Sequence, residues 1–151
     1  MKPRFKFGFR NAELFEVFGE KSRWGYIVIG DFRERFHIPI HYWSVDKYVA
    51  QWEDSRARLR GGSEMSCFVS RMRPRNANSF IDVWVVYVLN GIAFVQNKII
   101  LCSWIPTVFG ETTEEICTLT GPRDTISETG MKISEWNVPI EAITGCEISR
   151  Q

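Results

Sequence analysis

The stretch FIDVWVVYVLNGIAFVQNKIIL, residues 80–101, decides the fold class. Its two halves, 80–89 and 92–101, are rich in β-branched and aromatic residues, as strands require. Asn90-Gly91 joins them. A two-residue type I′ turn needs positive φ at both central positions, and Asn-Gly meets that need at least cost. Within 80–89, Val83, Val85, Tyr87 and Leu89 fall on one face and Trp84, Val86 and Val88 on the other. Both faces are apolar, so this hairpin is expected at the centre of a sheet, covered on both sides.

Outward from the hairpin the pattern is mixed. Upstream, WGYIVI (24–29) reads as a strand, Gly30-Asp31 as a turn, and 32–40 alternates loosely. Pro39 argues against a central strand there, because it cannot donate to a ladder. Residues 12–18, AELFEVF, fit either a short helical turn or a strand. Ser44 is a good N-cap for a helix over about 45–59. Val45, Tyr48, Val49, Trp52 and Leu59 form its apolar stripe, and Gly61-Gly62 ends it. MSCFVSRM (65–72) reads as a strand and 73–79 as a loop.

Downstream, 104–110 is a connection. Thr112-x-x-Glu115 is a capping box for a helix over about 113–119, and 121–130 is loop. MKISEW (131–136) reads as a last strand, and Pro139 suits the first turn of a helix over about 139–145. No repeat or linker divides the 151 residues, which are expected to form a single domain over 1–151. The class is α+β, with antiparallel hairpins and short helices.

Composition excludes several functions. With 44% hydrophobic and 25% charged residues the chain is globular. The weakly charged run Val83–Phe109 contains Asn90-Gly91 and Gln96-Asn97-Lys98, which a membrane span would not carry. The first residues lack the continuous apolar stretch of a secretion signal. Cys67, Cys102, Cys117 and Cys146 form no CxxC unit and are read as free, mostly buried thiols of a reducing compartment. His37 and His41 have no acidic pair nearby in sequence to complete a metal site, so neither metal nor cofactor is expected. Ser44-x-x-Lys47 lacks the companion elements of a serine acylase, and Ser44 is better used as a cap. No catalytic constellation stands out, and the chain is not read as an enzyme.

Charge is unevenly distributed. Residues 1–75 hold 15 Lys/Arg and 9 Asp/Glu; residues 76–151 hold 4 and 9. In the basic half Arg33, Arg35, Arg56, Arg58, Arg60, Arg71, Arg73 and Arg75 interleave with Phe32, Phe36 and Phe68, a pattern open to single-stranded nucleic-acid binding. The near-neutral total weighs against that alternative.

Three segments carry a resemblance: HIPIHYWSVDKYVAQW (37–52), FIDVWVVYVLNGIAFVQNKII (80–100) and GMKISEWNVPIEAI (130–143). Their His37, Pro39, Tyr42, Trp43, Tyr48, Trp52, Trp84, Tyr87, Val95, Gln96, Asn97 and the run Gly130 to Trp136, Met131 included, resemble the immunity proteins of bacterial contact-dependent growth inhibition (the CdiI family), in the branch paired with a ribonuclease toxin. The resemblance implies a cytoplasmic protein without catalysis of its own. It implies binding to the C-terminal nuclease toxin domain of a cognate surface protein, with no membrane and no direct nucleic-acid partner. It also implies a two-sheet fold like that of the Whirly single-stranded-DNA-binding proteins. The motif residues Trp43, Trp52 and Trp84 fit core positions. A basic toxin would call for carboxylates, and the acidic half offers Glu111, Glu114, Glu115, Asp124, Glu128, Glu135 and Glu141 as candidate toxin-binding residues.

Overall fold

A computed structural model describes residues 4–75 and 78–150 of the chain. Residues 76 and 77, inside the expected loop 73–79, lie outside it.

The diagnostic hairpin forms as read. β6 (Phe80–Leu89) and β7 (Ile92–Leu101) pair in register from Phe80 opposite Leu101 to Leu89 opposite Ile92. Asn90 and Gly91 both take positive φ, 52° and 78°. β5 (Met65–Arg71) pairs with the other edge of β6, and β8 (Trp136–Pro139) with the first half of β7. The resulting antiparallel sheet has the order β5-β6-β7-β8, and β6 is buried on both faces from Ile81 to Tyr87.

The first sheet is built around β3 (Glu20–Ile29). Edge strand β4 (Phe32–Pro39) runs along one side of it and ends at Pro39, where the missing donor costs nothing. β1 (Phe5–Phe9) and β2 (Phe15–Val17) share its other side. β9 (Ile148–Arg150) lies parallel to β1. β1 is a strand because Phe5, Phe7 and Phe9 alternate inward while Lys6 points out.

Helix α1 (Val45–Arg60) packs against β5 and β9 and closes one side of the space between the sheets. Ser44 caps it, accepting from Lys47 N at 3.2 Å. Its buried stripe of Tyr48, Trp52 and Leu59 is the one expected. Trp52 meets Phe7 and Phe9 with ring centroids 5.0 and 5.1 Å away, and Phe7 meets Phe68 of β5 at 5.2 Å. Such aromatic pairs add about 0.5–1.5 kcal/mol each beyond their buried area. At the other end of the core Phe32 stacks on Trp136 at 4.0 Å, and Trp84 lies 5.9 Å from Trp136. α2 (Thr113–Thr120) covers the far face of the second sheet, and α3 (Ile140–Thr144) follows β8.

The architecture is α+β with two sheets and short helices. Two expectations change. The last strand begins at Trp136 rather than at Met131, and two further strands, β1 and β9, complete the first sheet.

Candidate functional site

Three of the seven candidate carboxylates are committed to holding the fold. Glu115 closes the capping box of α2: its carboxylate accepts from Thr112 Oγ1 at 2.8 Å and from Gly110 N at 2.7 Å. The Gly110 amide and the Thr112 hydroxyl hold it below the ordinary glutamate range. Glu111 accepts from Tyr42 Oη at 2.7 Å and Trp43 Nε1 at 3.2 Å, tying the approach to α2 to the approach to α1. Glu135 forms a two-pronged pair with Arg123, at 2.8 and 2.7 Å, and accepts from Gln96 Nε2 at 2.8 Å. The Arg123 guanidinium keeps Glu135 below its usual range.

Glu114, Asp124, Glu128 and Glu141 are exposed, and none enters an ion pair among the described residues. They do not form one cluster. Glu114 sits in the first turn of α2, Glu141 on α3, and Asp124 and Glu128 in the segment between α2 and β8.

That segment folds into a narrow finger. Ile133 N donates to Thr125 O at 2.9 Å, Ser127 N to Met131 O at 2.8 Å, and Gly130 N to Ser127 O at 2.9 Å. Gly130, at φ 81°, permits the tight return. Residues 131–133 therefore pair back on 125–127 instead of joining β7, which is why the strand expected over 131–136 starts late. The finger exposes Ile126 (56%) and Met131 (68%), with Glu128 near its tip and Asp124 at its base. Its base is fixed by the Arg123–Glu135 pair, by Gln96 Nε2 donating to Asp124 O at 2.8 Å, and by Arg123 lying 4.0 Å over the Phe94 ring.

Most of the other motif residues are scaffold. Trp43, Tyr48, Trp52, Trp84 and Gln96 are buried. The His37 carbonyl accepts from Arg71 Nε at 3.0 Å, and the Pro39 carbonyl from Tyr48 Oη at 2.6 Å. Asn97 donates to Asp82 at 2.8 Å. Tyr42 and Met131 are exposed, and Trp136 is half-buried against Phe32. Burial in the apolar surroundings was legible in the sequence; the exposure of Met131 was not, because it follows from the return of the finger.

No group of three or more potential metal ligands occurs among the described residues. All four cysteines are free and buried, Cys67 and Cys117 with sulfurs 3.5 Å apart. Of the arginines singled out in the basic half, Arg71 pairs with Asp82 at 2.9 Å and Arg73 with Glu20 at 3.0 Å. Arg56 pairs with Glu53 and reaches the Cys146 carbonyl. Arg60 donates to the Thr144 carbonyl and Arg75 to those of Ile105 and Pro106. These are internal fasteners. Only Arg33 and Arg35 of that group project from the outward face of the first sheet.

The aromatic motif residues form a buried scaffold, and an apolar finger stands exposed on it. The CdiI N-terminal domain family matches residues 38–146. This chain belongs to the CdiI immunity-protein family. It is 31% identical over 136 residues to the immunity protein CdiI of Enterobacter cloacae, covering 89% of this chain and 91% of that one. Its structure is similar to a chain of the CdiA-CT/CdiI toxin and immunity complex from Enterobacter cloacae, with a TM-score of 0.80 and 28% identity over 93% and 94% of the two chains. CdiI proteins bind and neutralise; they are not enzymes. The span matched to the CdiI family contains the second sheet and the finger, and begins after Arg33 and Arg35.

Proposed function

We propose that this chain is an immunity protein that binds the C-terminal toxin domain of a cognate contact-dependent growth inhibition protein and prevents it from acting in the cell that makes it. The observation that carries this reading is the similarity, along nearly the whole chain, to a member of a toxin and immunity complex. The toxin domain is read as a nuclease and the site of action as the cytoplasm. No helix among the described residues is long and apolar enough to cross a membrane. The whole of 1–151 is read as one immunity domain. The two-sheet arrangement is read as the one found in Whirly proteins, a likeness of fold that assigns no ligand.

The finger is the toxin-contacting element. There two exposed apolar side chains, Ile126 and Met131, stand beside two unpaired carboxylates, Asp124 and Glu128. Tight interfaces combine desolvated apolar anchors with charges that steer and select the partner. Glu114, in the first turn of α2, and Glu141, on α3, are separate candidate contacts away from the finger, while Glu111, Glu115 and Glu135 hold the elements around them. Calorimetry against the toxin domain tests this. Met131→Asp and the charge reversals Glu128→Lys and Glu114→Lys should each raise Kd at least tenfold, about 1.4 kcal/mol or more. Wild-type affinity in all three would move the interface elsewhere; failure of the wild-type chain to bind the toxin domain would remove the function itself.

A further inference from the structure

The outward face of the first sheet is used neither by the core nor by the finger. β3 runs through its middle and supplies a floor of Trp24, Tyr26 and Val28. On β1, Lys6 stands opposite Val28; on β4, Arg33 and Arg35 stand opposite Val28 and Tyr26. Arg4 and Arg10 continue the alternation beyond the two ends of β1. They are fixed there by Gly30 N donating to Arg4 O and Arg10 N donating to Trp24 O, each at 2.8 Å. These five cations border a shallow concavity of about 690 Å³. None of their side chains enters an ion pair among the described residues. One carboxylate, Glu34 on β4 between Arg33 and Arg35, also lines the concavity, and Glu141 and Glu147 stand across an adjoining depression that Arg4 and Lys6 also line.

Five unpaired cations around one hollow repel one another, and a bound polyanion relieves that repulsion. We propose that this face binds the backbone of a single-stranded nucleic acid without sequence preference, as an activity separate from toxin binding. The cations lie in two rows along extended strands. Alternate residues of a strand repeat at about 6.7 Å, so Arg33 and Arg35 offer charges at a regular linear spacing. A phosphodiester strand is a regular line of charge, whereas the carboxylates of a folded protein are scattered. One aromatic ring, Tyr26, lines the hollow beside Ile27 and Val28, and single-strand-binding grooves stack bases on such rings. Trp24 already packs on Phe15 at 4.9 Å and under the Arg35 guanidinium at 4.9 Å, which leaves half-buried Tyr26 as the ring open to a base. Of the arginines the sequence pattern singled out, Arg33 and Arg35 belong to this face, while Arg56, Arg60, Arg71, Arg73 and Arg75 are engaged inside the fold.

The test is fluorescence anisotropy of the full chain with a labelled oligouridine about 20 nucleotides long, at 50 and 200 mM salt. With three to five phosphates neutralised, log K should fall against log salt with a slope of about −2 to −3.5, a loss of about twenty- to hundredfold between the two conditions. Arg33→Glu with Arg35→Glu should lower affinity at 50 mM at least tenfold. Arg4→Gln with Lys6→Gln, a milder pair, should lower it severalfold. Both variants should keep the wild-type melting midpoint and wild-type affinity for the toxin domain, which separates this face from the finger. Three results overturn the proposal: no oligouridine binding at 50 mM salt, binding that ignores both pairs of substitutions, or tighter binding of an oligoglutamate of equal length, which would assign the face to an acidic protein.

Discussion

Replacing Tyr48 by Phe removes one oxygen atom from the middle of the molecule. Tyr48 is fully buried on α1. Its hydroxyl donates to the carbonyl of Pro39, at the end of β4, at 2.6 Å, and accepts from the amide of Met72, just past β5, at 2.9 Å. It therefore joins the first sheet to the second through the helix between them. Phe fills nearly the same volume, so no cavity term arises. Two hydrogen bonds worth about 0.5–1.5 kcal/mol each are lost, and a buried amide without a partner adds about 1–3 kcal/mol, giving about 2–6 kcal/mol in all. For a chain of this size each kcal/mol lowers Tm by about 2–4 °C, so a fall of at least about 4 °C is expected. Urea unfolding should show a lower midpoint at unchanged m. Burial also pushes the Tyr48 phenol well above its ordinary value. A group raised in the folded state contributes stability that is complete below its unfolded pKa, about 10, and is lost as pH rises beyond it. The Phe variant should lack that part of the alkaline decline. A loss below about 0.5 kcal/mol, or an unchanged alkaline limb, would refute the role given to this hydroxyl.

Four further outcomes follow from particular contacts. Glu115→Ala should lower the urea midpoint through loss of its half of the capping box, with Glu114→Ala close to wild type, both read by urea unfolding. Gly25→Val should destabilise by more than about 2 kcal/mol, because even a Cβ there would stand 2.4 Å from Ile38 Cδ1. Phe18 turns the β2–β3 hairpin at φ 49° with its side chain fully exposed. Phe18→Asn, which recreates the Asn-Gly pair of the other hairpin, should raise stability by about 1 kcal/mol. Arg123 lowers Glu135, so that pair's contribution is present above about pH 4.3 and lost as pH falls. Glu135→Gln should lack this part of the acid transition, followed by tryptophan fluorescence.

The elements that local chemistry fixes were legible in the sequence: the Asn90-Gly91 turn, the Ser44 cap, the Thr112–Glu115 box and the burial of Trp43, Trp52 and Trp84. What distant pairing decides was not. FKFGF carries the alternation of a strand, yet only its pairing with β3 and β9 makes β1 a member of a sheet. The seven carboxylates look alike in sequence. Glu111 and Glu135 are taken up by Trp43 and Arg123, and no local pattern announces those partners. The arginines divide by the same logic. Those that meet a carbonyl or carboxylate become fasteners, and those left on an outward face become a surface.

The parallel pairing of β1 with β9 bears on the order of events during synthesis. It joins Phe7, Gly8 and Phe9 to Ile148, Ser149 and Arg150, and Arg23 reinforces it by donating to the carbonyls of Asn11 and Arg150. Residues this far apart in the chain cannot meet until nearly all of it has left the ribosome. The β6–β7 hairpin, by contrast, closes locally on a microsecond scale. Loop-closure entropy grows only as the logarithm of length, so joining about 140 residues costs about 4 kcal/mol beyond the constant term. The second sheet, with the finger beside it, can thus be assembled before the first sheet is complete. Ribosome-bound chains released at successive lengths would then acquire toxin affinity before they acquire the cooperative melting of the full protein.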